Sequence, residues 1–107
     1  MGSEQTSSKQ EQPMRVILPD LYNEVTKNLE DHHNIHKYDI QAQAIKEASG
    51  YEAIIYFGDS YAHKKSQYFS NEAIENTNHE IIEFIEKVGD ACKEVMIADY
   101  FKMMRPK

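Results

Sequence analysis

Residues 51–68, YEAIIYFGDSYAHKKSQY, decide the fold class of this chain. The stretch from 51 to 57 is rich in aromatic and β-branched side chains, which favour strands. Gly58-Asp59 follows it and suits a two-residue type II′ turn. The pattern therefore predicts a β-hairpin made of strands 51–57 and 60–68.

A two-residue turn also fixes the predicted register of this hairpin. An aromatic pair and an ion pair then lie across it, each favouring pairing by about 0.2–1 kcal/mol. The facing residues expected are Phe57 with Ser60, Tyr56 with Tyr61, and Glu52 with Lys65.

Two helices are predicted before the hairpin. Leu21, Val25 and Leu29 recur at four-residue spacing behind Pro19, which suits a first helical position, and this predicts a helix ending near residue 31. The segment 40–48 consists almost entirely of strong helix formers. Asp39 is a suitable N-cap and Gly50 a suitable left-handed C-terminal residue, so a second helix is expected.

A third helix is predicted after the hairpin, with apolar positions from Ile74 to Val88 and an end at Gly89. For 91–104 a helix capped by Asp90 is favoured, and a buried strand over 95–101 is the alternative. An isolated hairpin is marginal in water and has to rest on helices. The expected fold is α+β, a single domain of three or four helices packed on a small antiparallel sheet.

Residues 1–13 contain no aromatic or branched aliphatic side chain, so a disordered polar tail is expected before a globular domain over 14–107. Cys92 is the single cysteine, which favours a reducing compartment, and no apolar run approaches a membrane span; the expected location is the cytoplasm. The opening MGSEQT fits the acceptor pattern for myristoylation at Gly2, but the pattern is short, and a small-residue tail or a cloning scar is the favoured explanation.

The string Gly58-Asp59-Ser60 after a strand resembles the first block of the GDSL serine hydrolases. That resemblance implies that Ser60 is a nucleophile. The family's Asp-x-x-His block is missing, because neither His63 nor His79 has an aspartate three positions before it. A nucleophilic serine needs such a base. The hairpin turn explains the string better, and no catalytic residue and no enzyme activity are expected.

The cluster Asp31-His32-His33-x-x-His36 is a weak metal candidate. If the first helix runs through it, His32 and His36 lie four apart on one face, a spacing that two zinc ligands can use. A polar loop between helices explains the cluster more simply. No cofactor is therefore expected.

Two helices followed by a hairpin carrying Lys64 and Lys65 also invite comparison with winged-helix proteins, which bind nucleic acid through a basic wing. Between Gly50 and the hairpin, the chain has no room for the recognition helix of that fold. The formal net charge of −6, from 18 acidic and 12 basic residues, further opposes phosphate binding. Nucleic-acid binding through 60–68 is the alternative function.

The order helix, helix, hairpin also resembles the dynein light chain family. Residues 28–35 and 39–47 are similar to its two helices, and Phe57-Gly58 followed by Ser60-Tyr61 is similar to its Phe-Gly-Ser-Tyr. The resemblance covers about half of the chain and implies peptide binding by strand addition at a sheet edge.

The function expected is a non-catalytic protein-interaction module: a small acidic adaptor, inhibitor or immunity-type protein. Its partner is expected to be another protein, self-association included. The C-terminal segment with Met96, Tyr100, Phe101, Met103 and Met104 is interpreted as core, with a partner-binding surface as the alternative. The predicted partner-binding residues are Glu72, Glu75, Glu83, Glu86, Lys64 and Lys65.

Overall fold

The computed structural model describes the backbone of residues 10–104 and the side chains of residues 10–98. Four strands form one antiparallel sheet in chain order: β1 (Gln12–Pro13), β2 (Ile40–Lys46), β3 (Gly50–Phe57) and β4 (His63–Ser70). Four helices accompany it: α1 (Met14–Ile17), α2 (Pro19–His33), α3 (Asn71–Glu75) and α4 (His79–Met104). Short 3-10 turns lie at Lys37–Asp39 and Asp59–Tyr61. The predicted α+β class is confirmed.

Helix α2 forms as its sequence predicts. Pro19 lies at its start, and Leu21, Val25 and Leu29 are its buried residues. The helix ends at His33, two residues later than expected, because Asn34 adopts a left-handed conformation and its backbone N–H donates to the Leu29 carbonyl.

The predicted second helix at 40–48 is wrong, because Ile40–Lys46 is strand β2. Ile40, Ala42 and Ala44 are buried while the glutamines between them are more exposed, which is the period-two pattern of a strand. The segment pairs with β1 on one side and β3 on the other. Pairing along both edges outweighs the helix propensity of its alanine, glutamine and lysine residues.

The predicted register of the hairpin is also wrong. A five-residue loop joins β3 to β4, so Phe57 faces His63 and Tyr56 faces Lys64. Gly58, with a φ of 86°, starts this loop. The shift of three residues puts Phe69 on the face of the sheet that carries Phe57, where it is buried. A two-residue turn would have turned Phe69 to the opposite face.

The predicted pairing of Glu52 with Lys65 is wrong for the same reason. Glu52 faces Tyr68, and Lys65 faces Ile55.

The region after β4 forms two helices rather than the single helix predicted to end at Gly89. The Ser70 hydroxyl accepts from the Ala73 N–H and caps α3, which ends at Glu75. Helix α4 then runs through Gly89 without a break. The segment 91–104 is confirmed as helical and the strand alternative is wrong, but Asp90 lies inside α4 and begins no helix.

The core lies between the helices and one face of the sheet. The rings of Phe69 from β4 and Phe84 from α4 meet edge to face, with centroids 5.5 Å apart. All four helices contribute to the same cluster, so their buried side chains share one side of the sheet. Its buried members are Met14, Leu21, Val25, Leu29, Ile35, Ile40, Ala42, Ala53, Ile55, Phe57, Phe69, Ala73, Ile81, Phe84, Ile85, Val88 and Cys92.

The N-terminal segment is held at the β2 edge of the sheet and by a contact on the face opposite the core. Gln12 and Pro13 pair with β2, and the Tyr56 hydroxyl donates to the carboxylate of Glu11, at 2.7 and 2.8 Å from its two oxygens. Ordered structure thus begins before the predicted boundary at residue 14, while the rest of the predicted tail, including Gly2, lies outside the described residues.

Across residues 10–104, no helix combines the length and the apolar character that crossing a membrane requires.

Candidate protein-binding surface

Exposed apolar side chains lie on α4 beyond the end of α2 and on two loops near that part of the helix. Within the part of the chain with described side chains, Tyr38, Tyr61, Met96 and Ile97 are large, apolar and exposed. We call these four residues the apolar pole. The Tyr61 hydroxyl donates to the Tyr38 carbonyl over 3.4 Å, so the two loops that carry the tyrosines are in contact.

The same two loops lie beside α4. Gly58, at the start of the loop with Tyr61, is so close to Val95 that a Cβ on the glycine would lie 3.1 Å from a Val95 methyl. The segment after α2 forms the other border, because an open groove of about 250 Å³ is lined by His33, Asn34, Ile35, Lys93, Met96 and Ile97. These contacts bring the members of the apolar pole to one end of the molecule.

The pole is exposed because α2 is much shorter than α4. Helix α2 ends at His33, which packs against Gly89. From there α4 continues to Met104. At 1.5 Å per residue this extension is about 22 Å long. Met96 is 42% exposed and Ile97 54% exposed, as expected where a helix outruns the neighbour that would cover it.

Cys92 anchors the base of the pole. Its thiol is buried and donates to the Met96 sulfur at 3.8 Å. Burial, and secondarily the charge of Asp39, raise the pKa of the Cys92 thiol above its ordinary value. The thiol therefore packs as a small apolar group rather than serving as a nucleophile at neutral pH.

Basic groups border the pole. The Lys37 ammonium lies 5.5 Å from the centroid of the Tyr38 ring, a cation–π distance. Lys93 lines the groove. The His36 imidazole lies 3.6 Å from the Glu30 carboxylate. An apolar centre with a polar rim is the usual composition of a protein-binding surface.

The four glutamates predicted to contact a partner are all exposed, but they do not lie on one helix. Glu72 and Glu75 belong to α3, whereas Glu83 and Glu86 belong to α4. The His79 imidazole lies 3.2 Å from the Glu83 carboxylate. Their role in partner binding remains a prediction, and they form exposed acidic groups on two successive helices.

The two predicted basic contacts lie on opposite faces of β4. Lys64 faces Tyr56, whereas Lys65 faces Ile55, whose side chain points into the core. Both lysines are exposed. Because neighbouring strand residues alternate between faces, the two charges do not form a single patch on one face of the sheet.

The histidine cluster does not have the helical geometry that the metal hypothesis assumed. Helix α2 ends at His33, so His36 lies in the following loop, not one turn beyond His32 on a common helix. Among the residues whose placement is described, no group of three or more metal-binding side chains is assembled.

Ser60 lies in the exposed turn between β3 and β4. His63, the nearest histidine in sequence, stacks on Phe57 with ring centroids 5.8 Å apart. Over residues 10–98, the Ser60 hydroxyl forms no hydrogen bond with a histidine. The winged-helix and dynein light chain comparisons both require a second helix at 40–48, where the chain forms β2.

The interpretation of Met96 as core is wrong, because its side chain is exposed, and the sequence analysis missed Tyr38 and Tyr61. The other side chains of that segment, Tyr100, Phe101, Met103 and Met104, lie outside the described residues. The available signal was an aromatic residue in each of two polar loops. Aromatic side chains in loops are common in binding surfaces.

Comparison with protein-family profiles, curated proteins and solved structures gives no match to this chain.

Proposed function

We propose that this protein is a non-catalytic interaction module, of the adaptor, inhibitor or immunity type, that binds another protein through its apolar pole. The observation that supports this most is the exposure of Met96 and Ile97 on a helix that extends beyond the other helices. A soluble domain gains stability by covering such side chains, and contiguous apolar patches commonly mark interaction sites. Methionine and tyrosine are also enriched at protein interfaces.

The chemistry of the pole favours a protein over a nucleic acid. Its exposed groups are two phenols, a thioether and an aliphatic side chain, with single lysines at the border. Phosphate backbones are bound chiefly by clusters of cations, and the chain carries a formal net charge of −6. The separation of Lys64 and Lys65 on opposite faces of β4 adds to this preference.

The acidic side chains give the proposed module a second property. Glu72, Glu75, Glu83 and Glu86 are exposed on α3 and α4, away from the apolar side chains that form the pole. Exposed charges of one sign steer encounters with oppositely charged proteins and add little to final affinity. We therefore expect the partner to be basic or neutral.

The experiment compares the tagged full-length chain with two variants in the cells from which it comes. Ile97→Glu puts a charge on the pole, and Val16→Glu puts the same charge on an apolar side chain that is 62% exposed elsewhere, on α1. We expect a protein that co-purifies with the wild type to be retained by Val16→Glu and lost by Ile97→Glu. Co-purification that is equal for all three chains, or absent from the wild type, would contradict the proposal.

A further inference from the structure

A groove of about 430 Å³ opens between the start of α2 and the end of α3. Its apolar surface comes from Ile17 and Leu18 at the junction of α1 and α2, from Leu21, and from Ile74 on α3. Leu21 is buried, whereas the other three are half-buried. The volume lies within the range of binding clefts in proteins, and the half-buried side chains leave apolar surface that a ligand can cover.

Three carboxylates surround this apolar surface. Asp20 and Glu24 belong to the first half of α2, and Glu75 is the last residue of α3. The Glu24 carboxylate accepts a hydrogen bond of 2.8 Å from the Asn28 side-chain amide, which holds it beside the groove. Within residues 10–98, Asp20 and Glu75 form no ion pair and no side-chain hydrogen bond. None of the described residues that line the groove is basic, so its negative charges have no cation beside them.

The carboxylates are spread around the groove rather than gathered at one point. In the part of the chain with described side chains, no group of three or more acidic, histidine or cysteine residues is placed to hold a metal ion. Separate cations along an extended ligand match this arrangement better than one ion does. A lysine or arginine side chain combines an apolar stem with a terminal charge, so it can lie along the aliphatic surface while its charge reaches a carboxylate.

We infer that this groove binds a basic and apolar segment of another protein. One or two large apolar side chains of the segment would cover the aliphatic surface, and lysine or arginine residues on either side of them would reach Asp20, Glu24 and Glu75. Charge complementarity selects this occupant. An acidic segment would add to the repulsion between the carboxylates, and an uncharged apolar segment would remove water from them without replacing it by a cation.

This groove is a second surface, distinct from the apolar pole, so the inference goes beyond the proposed function. The groove lies at the first turns of α2, whereas the pole lies past the last residue of that helix, His33. At 1.5 Å per residue, the 15 residues of α2 separate the two surfaces by about 20 Å. A chain with two such surfaces can hold two partners at once, as an adaptor does.

The test measures binding of the full-length chain to short labelled peptides by fluorescence polarisation. The first peptide is Lys-Lys-Leu-Phe-Lys-Lys, and in the other two its lysines are replaced by serine or by glutamate. We expect the basic peptide to bind saturably and at least about tenfold more tightly than the serine peptide, with the glutamate peptide weakest. Raising NaCl from about 50 to about 500 mM should weaken binding of the basic peptide more than that of the serine peptide.

Charge-matched variants locate the binding site. Glu24→Gln combined with Glu75→Gln removes two charges from the groove. Glu80→Gln combined with Asp90→Asn removes two charges from exposed positions on α4, outside the groove. We expect the first pair to raise the dissociation constant of the basic peptide at least about fivefold and the second to leave it within about twofold. An equal effect of both pairs would overturn the inference, because binding would then follow net charge alone.

The apolar part of the groove has its own pair of variants. Ile17→Ser should weaken binding of the basic peptide at least about fivefold, whereas Val16→Ser, at the neighbouring position that is 62% exposed, should leave it within about twofold. Circular dichroism shows whether each variant keeps the fold. Equal binding of all three peptides, or no binding of the basic peptide to the wild type, would also overturn the inference. Neither result affects the proposed function, which depends on whether Ile97→Glu loses a protein that co-purifies with the wild type.

Discussion

The imidazole of His33 occupies the space that any side chain at position 89 would need. A Cβ atom built on Gly89 would overlap the ring atoms of His33, and Gly89 is itself buried. The last residue of α2 thus packs against α4 at a point where only glycine leaves room for the imidazole in this position. Gly89, which the sequence predicts to end a helix, lies instead where two helices pack together.

Gly89→Ala should therefore destabilise the protein, although alanine is by about 1 kcal/mol the better residue for a helix interior. Overlap with His33 should reduce the free energy of unfolding by about 1–3 kcal/mol, measured by urea denaturation. In a His33→Ala background the overlap is gone, and the same substitution should be neutral or stabilising. Equal destabilisation in both backgrounds would show that His33 is not the cause.

Gly50→Ala should destabilise the protein more than Gly89→Ala. A Cβ at residue 50 would overlap the Phe69 carbonyl oxygen and lie 2.8 Å from Ser70 Cα. These are backbone atoms of β4, and they cannot rotate away as an imidazole can. We expect a loss of about 3 kcal/mol on urea denaturation. Ala48→Ser, at an exposed neighbouring position, is the control and should change stability by less than about 0.5 kcal/mol.

The contact between Tyr56 and Glu11 should make stability depend on pH in the alkaline range. The hydrogen bond to Glu11, then burial, then the Glu11 charge raise the pKa of Tyr56 above its ordinary value near 10. The folded state favours the neutral phenol, so the contribution is full below about pH 10 and is lost as pH rises through the raised pKa. As pH rises above about 10, Tyr56→Phe should lose less stability than the wild type, measured by urea denaturation at each pH.

The comparison with Tyr56→Phe isolates this contact, because every other group is the same in both chains. Parallel stability curves for the two chains would contradict the role given to Glu11. Glu11→Gln is a second check, since it keeps a hydrogen-bond acceptor and removes the charge. In the Glu11→Gln background, the stability curves with and without Tyr56→Phe should still differ, but by less than in the wild-type background.

Cys92 should react with a neutral thiol reagent only when the fold opens. Its side chain is 1% exposed, and its raised pKa keeps the thiolate population low at neutral pH. The labelling rate should rise with urea in parallel with the equilibrium constant for unfolding. Rapid labelling in native buffer, at a rate close to that of the unfolded chain, would show instead that the base of the pole opens locally.

How far the sequence predicts this fold depends on whether local preference and tertiary context agree. They agree in α2, where Pro19 starts the helix and three apolar residues at four-residue spacing point to the core. They disagree in β2, whose residues prefer a helix when considered alone. Its strand conformation depends on pairing with β3, which follows it closely, and with β1, which lies far earlier in the chain.

The register of β4 was missed for a related reason. Gly58-Asp59 suits a tight turn, but the alternation of the strand is set by the single large apolar residue, Phe69, that has to reach the core.

The candidate site could be predicted only in part from the sequence. The apolar character of Met96 is plain in the sequence, whereas its exposure depends on where α2 ends relative to α4, and that depends on Asn34.

Because α4 is continuous, binding at its C-terminal end should affect the stability of the whole domain. The same unbroken helix carries Ile81, Phe84 and Ile85 in the core and Ile97 at the pole. A molecule bound to the outer turns of α4 therefore restrains a helix whose other half is packed in the core. Unfolding of the core then requires that molecule to dissociate. Occupancy of the pole should lengthen the lifetime of the chain against proteolysis, so abundance in the cell becomes a readout of binding.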